Sequence, residues 1–299
     1  MTEPTAPSGA LSPGVYVLRK LPMVTLLFWV IKTIAVTLGE TLGDLLGITA
    51  GLGYATTALV LLAFFLIALI AQVRAGRLHP GLYWATVLGT SLVGTEVSDF
   101  LNRGPGDGSA QHGVGYAAGA VILLIVLGIV FAVWWHTGQT YDVEAISSHT
   151  GEILYWVAIL ASNTLGTSTG DWLSDDTGLG FRGAFTLIAA VLALLAILHY
   201  RTSISSTLLF WPAFVLTRPL GAAGGDALTK PTADGGLGWG TAWGSAALGA
   251  VLIVLIAYET RRVTLRPPAP LPAPVDRRTG ACQRPNGTLV AHPEPAPAA

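Results

Sequence analysis

Two acidic residues lie four positions apart in the first apolar segment of the chain. Glu40 and Asp44 belong to residues 37–44, TLGETLGD, within strongly apolar sequence. Residues at i and i+4 share one face of a helix. Because an acid inside a membrane segment is costly, it is by default a candidate for function. The pair therefore predicts a site for a cation or a proton.

The composition indicates a membrane protein with several spans. Of 299 residues, 52% are hydrophobic and 11% are charged, and the mean hydropathy is +0.61. A soluble domain carries about 25% charged residues. The net charge of −1 gives no electrostatic reason to expect nucleic acid as a partner. The one cysteine, Cys282, excludes a disulfide framework within the chain.

Eight apolar segments are each long enough for the roughly 20 residues that span a bilayer, which predicts an all-α membrane protein. The segments are residues 22–46, 53–74, 81–102, 113–136, 152–174, 179–200, 205–228 and 238–259. We expect a flexible arm (1–20), a first transmembrane half (21–140), a linker (141–151), a second half (152–260) and a disordered Pro/Ala-rich tail (261–299).

The positions of Lys and Arg in the short loops predict that both termini are cytoplasmic. Basic residues cluster before segment 1 and after segments 2, 6 and 8. They are Arg19, Lys20, Arg74, Arg77, Arg201, Arg261, Arg262 and Arg266. The loop between segments 4 and 5 conflicts with this orientation, which places it in the cytoplasm. It has no base and carries Asp142 and Glu144, followed by Glu152.

A fourfold internal repeat is the strongest pattern in the chain. Each odd-numbered segment contains Leu, an aromatic residue and Trp, and an aspartate follows each Trp by 15 residues. The tryptophans are Trp29, Trp84, Trp156 and Trp211, and the aspartates are Asp44, Asp99, Asp171 and Asp226. The spacing predicts four parallel two-helix repeats in two pseudo-symmetric halves, related by rotation about the membrane normal. We expect the tryptophans to lie at a membrane interface.

Ten residues of the odd-numbered segments form the predicted substrate site. They are Lys32, Glu40, Asp44, Glu96, Asp99, Asn163, Thr167, Asp171, Arg218 and Asp226. Oxygen ligands suit hard cations such as Mg²⁺, Ca²⁺ and Mn²⁺. The predicted metal ligands are Glu40, Asp44, Asp99, Asp171 and Asp226. Lys32 and Arg218 would balance the acidic charge when the site is empty.

Structural explanations compete with this prediction. The four repeated aspartates are suited to capping helices at the turns that follow them. The remaining buried charges are suited to a salt-bridge network that holds the helices together. Lys230, which precedes Pro231, is interpreted as part of a helix stop.

Three features of the chain resemble a family of uncharacterised bacterial membrane-anchored proteins. They are the stretch Glu40-Thr41-Leu42-Gly43-Asp44, the Leu-aromatic-Trp repeat and residues 217–221. The likeness covers most of residues 21–260, and it implies a polytopic inner-membrane protein without a known activity. A looser likeness is to cation exchangers whose repeats carry Glu-x-Gly-Asp and which are implicated in manganese and calcium transport. Glu96 and Asp99 keep that three-residue spacing, with Ser98 in place of Gly.

The sequence favours a transporter over an enzyme, because no nucleophile–base pair is recognisable. We expect a multi-pass transporter of a cation, a divalent metal such as Mn²⁺, with proton exchange. The partners would be the lipid bilayer and the small cation, a homo-oligomer is compatible with the sequence, and no cofactor is expected. One alternative is a transporter of a small organic or anionic solute bound by Lys32 and Arg218. Another is a structural membrane protein.

Overall fold

A computed structural model of the chain contains eight long α-helices. It describes residues 16–17, 19–105, 112–266, 271–272, 282–283 and 289–290. The helices are α1 (Leu26–Asp44), α2 (Tyr54–Arg74), α3 (Pro80–Arg103), α4 (Tyr116–Thr137), α5 (His149–Asp171), α6 (Gly180–Arg201), α7 (Ser206–Thr229) and α8 (Thr241–Leu265). Each lies within a few residues of a predicted apolar segment. The predicted arm and tail fall mostly outside the described residues.

Shorter elements complete the described structure. A π-helical turn extends α1 over Leu45–Thr49, and another extends α5 over Trp172–Asp176. Single 3₁₀ turns lie at Val143–Ala145 and Thr232–Asp234. Two-residue strands pair antiparallel outside the helices: β1 (Tyr16–Val17) with β2 (Leu271–Pro272), and β3 (Cys282–Gln283) with β4 (Leu289–Val290).

The four odd-numbered helices form a closed inner ring. Helix α1 packs against α3, α3 against α5, α5 against α7, and α7 against α1. Each even-numbered helix packs mainly on the odd-numbered helix of the next repeat: α2 on α3, α4 on α5, α6 on α7, and α8 on α1. Every repeat therefore depends on its neighbour for burial, and the last helix closes the ring on the first.

Hydropathy differs between the inner and outer helices. Among the described residues, five helical spans are long and apolar enough to cross a membrane: Leu26–Thr49, Tyr54–Arg74, Tyr116–Thr137, Gly180–Arg201 and Thr241–Leu265. In the four outer helices at most 28% of the apolar window is buried, against 56% in the first span. Apolar side chains therefore face outward around the bundle, which identifies a membrane protein.

An aromatic collar closes the N-terminal end of the ring. The aromatic residue before each Trp contacts the Trp of the next repeat. The ring centroids are 5.4 Å apart for Phe28–Trp84, 5.4 Å for Tyr83–Trp156, 6.3 Å for Tyr155–Trp211 and 5.6 Å for Phe210–Trp29. Three of the tryptophans cannot anchor the chain to lipid headgroups as expected, because Trp84, Trp156 and Trp211 are at most 8% exposed. They fill the space between parallel helices instead.

Glycines allow the inner helices to approach one another closely. A Cβ atom on Gly221 of α7 would lie 2.7 Å from Val36 Cγ2 and 3.0 Å from the backbone nitrogen of Thr37 in α1. The other three glycines five residues before an aspartate meet the following inner helix in the same way. These contacts are Gly39 with Ser91, Gly94 with Asn163, and Gly166 with Arg218. The inner helices therefore run parallel and in the same register.

Candidate cation-binding site

The polar stripes of the four inner helices meet inside the ring. Because the helices are parallel and in register, the aspartates share one level, and the residues 4, 8 and 12 positions earlier share successive levels toward the aromatic collar. All sixteen residues on these levels are at most 5% exposed. The predicted convergence of the stripes therefore occurs inside the protein.

Three carboxylates from three different helices come close together at the end of the ring opposite the aromatic collar. Oxygen atoms of Glu40 in α1, Asp171 in α5 and Asp226 in α7 all lie within 4.8 Å of one another. The three residues are at most 5% exposed. Carboxylate oxygens in this arrangement can ligate a hard cation. We call these three residues the carboxylate triad.

The other two predicted metal ligands flank the triad in ion pairs. Lys230 Nζ lies 2.8 Å from Asp44 Oδ2 and 3.4 Å from Asp226 Oδ1. The interpretation of Lys230 as only part of a helix stop is therefore wrong. Burial opposes its charge, but the attraction of Asp226 and Asp44 outweighs this effect and raises the pKa of Lys230 above its usual range. The neighbouring carboxylates therefore favour the charged form of Lys230.

Arg103 forms the equivalent ion pairs on the opposite side of the ring. Its guanidinium lies 3.4 Å from Asp99 Oδ1 and 3.7 Å from Asp171 Oδ2. Arg103 is not among the residues predicted for the site from the sequence. The four-residue spacing of Asp99 and Arg103, repeated in Asp226 and Lys230, is the sequence signal that points to both pairs.

A fully buried ion pair closes the site toward the collar. Arg218 Nη2 donates to Glu40 Oε2 at 2.8 Å and also to Thr95 Oγ1, and Nη1 donates to the carbonyl oxygen of Val36 at 3.2 Å. Arg218 is 0% exposed and Glu40 is 3% exposed. The predicted role of Arg218 in balancing an acid agrees with this contact.

The capping explanation for the aspartates is wrong. At Asp44 and Asp171 the helix continues into a π-helical turn, and neither side chain makes a capping hydrogen bond. Asp99 and Asp226 lie inside α3 and α7, and the helices that follow begin after Gly115 and Gly240. Because the inner helices extend past the aspartates, the carboxylates face other helices rather than chain ends.

The remaining predicted residues do not belong to the triad. Asn163 Nδ2 donates to Thr90 Oγ1 at 2.9 Å, and Thr167 Oγ1 donates to the Asn163 carbonyl oxygen at 3.3 Å. Glu96 lies between α3 and α1, where a Cβ on Gly47 would be 2.8 Å from Glu96 Oε2. Lys32 Nζ lies 3.8 Å from the centroid of the Phe214 ring.

Charge is unbalanced among these buried groups. We call the carboxylate triad with Asp44 and Asp99 the acidic cluster, and three bases contact it, namely Arg103, Arg218 and Lys230. In the described part of the chain, Asp171 Oδ2 and Asp226 Oδ1 are buried without a hydrogen-bond partner. Five acids against three bases leave an excess of two negative charges. Buried charges of this kind require counter-ions or protons.

A cavity of about 630 Å³ lies elsewhere, between α1, α6 and α7 beside Trp29 and Phe210. Its walls are mostly apolar, and none of the acidic-cluster residues lines it. The cavity therefore does not belong to the carboxylate site.

Comparison with protein families accounts for the repeat. A family model described as Repeat of Unknown Function (DUF347) matches residues 27–77, 82–140, 154–205 and 209–263. The chain belongs to this family. Each DUF347 repeat comprises one inner helix and the outer helix that follows it. This confirms the predicted fourfold repeat and the resemblance to an uncharacterised family. Comparison with curated proteins and with solved structures gives no match.

All four DUF347 repeats contribute to the acidic cluster, but they contribute differently. Repeat 1 supplies Glu40, repeats 2 and 4 supply the bases Arg103 and Lys230, and repeat 4 also supplies Arg218. The fourfold architecture therefore carries one asymmetric site rather than four equal ones.

Proposed function

We propose that this protein transports a small cation, a divalent metal such as Mn²⁺, in exchange for protons. The observation that carries the proposal is the carboxylate triad: Glu40, Asp171 and Asp226 place oxygen atoms within 4.8 Å of one another. Mn²⁺ prefers oxygen ligands, and three helices that supply one ligand each can change its access by moving relative to one another.

The excess of two negative charges in the acidic cluster supports the same proposal. One divalent cation would neutralise this excess, and so would two protons. Two carboxylate oxygens of the triad have no hydrogen bond in the described structure, and a ligand or a proton would satisfy them. Alternating occupation by a metal and by protons is the chemical basis of the proposed exchange.

We further propose that all eight helices cross the membrane as four parallel hairpins. Helices α3, α5 and α7 fall short of the hydropathy of a membrane span, but they contain 23 or 24 residues and are flanked by the other helices. A ring helix shielded from lipid can carry polar residues. The even-numbered helices supply the apolar outer surface.

The ion pairs of the N-terminal segment support the proposed cytoplasmic position of both termini. The acidic connection before α5 conflicted with the charge count, yet Lys20 Nζ lies 2.9 Å from Glu152 Oε2, and Arg19 Nη1 lies 4.0 Å from Glu144 Oε2. The bases before α1 thus neutralise this connection on the same side. In this orientation the aromatic collar faces the cytoplasm and the acidic cluster lies toward the opposite side.

An anionic or organic solute is the second candidate substrate. Lys32 favours it, because its buried Nζ has no hydrogen-bond partner in the described part of the chain. Arg218 disfavours it, because its guanidinium already donates to three protein oxygens. A purely structural role would use the same ion pairs for packing alone.

Mn²⁺ flux into proteoliposomes separates these functions. We expect Glu40→Gln and Asp171→Asn each to reduce uptake at least about tenfold, since each removes a ligand and a charge. Asp234→Asn is the matched control, because it removes one carboxylate from an exposed turn between α7 and α8. Its uptake should equal that of the wild type.

Unchanged Mn²⁺ uptake in folded Glu40→Gln and Asp171→Asn would refute cation transport. Loss of anion uptake in Lys32→Gln, with Mn²⁺ uptake retained, would favour the solute transporter. Absence of flux for every substrate, together with misfolding of the charge variants, would favour the structural role.

A further inference from the structure

Two basic side chains cover the acidic cluster from one end. Arg103 and Lys230 each follow a ring aspartate by four residues; the equivalent positions in the other two repeats are Ile48 and Asp175. Their side chains are 30% and 26% exposed, whereas the carboxylates that they contact are at most 7% exposed. The two bases therefore lie between the buried carboxylates and the protein surface.

Each of these bases bridges its own repeat to the next one. Lys230 contacts Asp226 of its own repeat and Asp44 in the neighbouring inner helix α1. Arg103 contacts Asp99 in its own helix and Asp171 in the next inner helix. Three of these four contacts are long, at 3.4 to 3.7 Å. The carboxylate oxygens in these three contacts have no hydrogen bond in the described structure; they are Asp99 Oδ1, Asp171 Oδ2 and Asp226 Oδ1. These loose ion pairs are not the strongest contacts that the carboxylates can make.

We propose that Arg103 and Lys230 are tethered counter-ions that compete with the transported cation for the same carboxylates. This inference rests on the proposed function. The aspartates are short side chains fixed on packed helices, whereas each base has a long, flexible stem and a partly exposed end that can exchange a carboxylate for water. Because the free end of either base can reach water, its displacement costs less than breaking a fully buried pair such as Arg218–Glu40.

Competition by a tethered base also selects for ion charge. A side chain held beside the site has a high effective concentration. A monovalent ion offers the carboxylates no more charge than Lys230 already does, whereas a divalent ion offers twice as much. Arg103 and Lys230 would therefore exclude Na⁺ and K⁺ while admitting a divalent metal. The two bases are specificity-determining residues in this proposal.

The test measures Mn²⁺ binding to the purified, detergent-solubilised full chain by equilibrium dialysis. We expect Lys230→Gln to bind Mn²⁺ about tenfold more tightly, because the competitor and its repulsion are removed. In the absence of Mn²⁺, the same variant should also bind ²²Na⁺, which the wild type should exclude. Lys230→Arg keeps the charge and should behave like the wild type toward both ions.

Arg182→Gln is the control for net charge, since Arg182 is an exposed base on α6 that contacts the Gly236 carbonyl oxygen and none of the cluster. Its Mn²⁺ affinity should not change. Arg103→Gln provides an independent second variant, and it should also tighten binding.

Mn²⁺ affinity that is unchanged or weaker in both folded variants would overturn the tethered counter-ions while leaving the transporter proposal intact. Absence of Mn²⁺ binding in the wild type and in the variants would overturn both proposals.

Discussion

Two interactions compete for the single carboxylate group of Glu40. One of its oxygens accepts from Arg218 at 2.8 Å, and the same carboxylate belongs to the triad with Asp171 and Asp226. An arginine suits this position better than a lysine, because its planar fork donates to Val36, Glu40 and Thr95 at once. Glu40 is thus held in place by the pair that also reduces its negative charge.

Removing one partner of the Glu40–Arg218 ion pair should lower the free energy of unfolding more than removing both partners. Arg218→Gln leaves Glu40 as a buried charge without its main counter-ion, and we expect a loss of about 3–5 kcal/mol in the free energy of unfolding. The double variant Glu40→Gln/Arg218→Gln should regain at least half of that loss. Unfolding of the protein in mixed micelles, followed by tryptophan fluorescence, measures both values. If the two single losses simply add in the double variant, the pair is not coupled.

At the scale of helices, glycine determines how closely neighbours in the ring approach. The four glycines five residues before the aspartates each face the next inner helix, so the register repeats around the ring. A glycine inside a helix is otherwise unfavourable relative to alanine by roughly 0.5–1 kcal/mol. Close packing of parallel helices offsets that cost here.

Two glycine-to-alanine substitutions should therefore have opposite effects. Gly221→Ala places a methyl group 2.7 Å from Val36 Cγ2 and 3.0 Å from the Thr37 backbone nitrogen, and we expect it to destabilise the protein by about 1–3 kcal/mol. Gly128→Ala in α4 meets nothing within 4 Å in the described structure and should be neutral or stabilising by up to about 1 kcal/mol. Thermal unfolding in detergent compares them. Equal destabilisation of both would contradict the packing described for the ring.

At the scale of the whole molecule, the polar helices stand inside the apolar ones. The outer helices present leucine, isoleucine and valine to their surroundings, while the inner ring holds the charges. The four outer helices and α1 therefore reach the hydropathy of a membrane span, whereas α3, α5 and α7 fall short of it. The arrangement makes a definite prediction about which side of the membrane each loop occupies.

Labelling with a membrane-impermeant maleimide tests the crossing of α7. In a Cys282→Ser background, Asp234→Cys should react in intact spheroplasts, whereas Thr202→Cys should react only after permeabilisation. These positions flank α7 on its two sides. Native Cys282 should behave like Thr202→Cys. Reaction of both introduced cysteines from the same side would show that α7 does not cross.

The elements were more predictable than the contacts between them. Segment length and hydropathy located all eight helices, and the Trp-to-Asp spacing revealed the repeat that the DUF347 matches confirm. Helical spacing also indicated which residues share a face. It could not indicate the partners, because Lys230 and Asp44 are 186 residues apart and no local pattern links them.

The tryptophans illustrate a second limit of sequence reasoning. An apolar helix with Trp near its end looks the same whether that end faces lipid headgroups or another helix. Burial depends on the ring, in which Phe28 of one repeat meets Trp84 of the next. Arg103 was missed for a related reason: its spacing from Asp99 was visible, but its contact with Asp171 required the tertiary structure.

The closure of α8 and α7 on α1 has a consequence for biosynthesis. Glu40 finds Arg218 only after 178 further residues have been made. At about 5–20 residues per second this interval lasts roughly ten to forty seconds. During that time α1 carries Lys32 and Glu40 in the membrane before Arg218, on the last inner helix, has been made. Until α7 has been made, the buried carboxylate of Glu40 therefore lacks its main counter-ion.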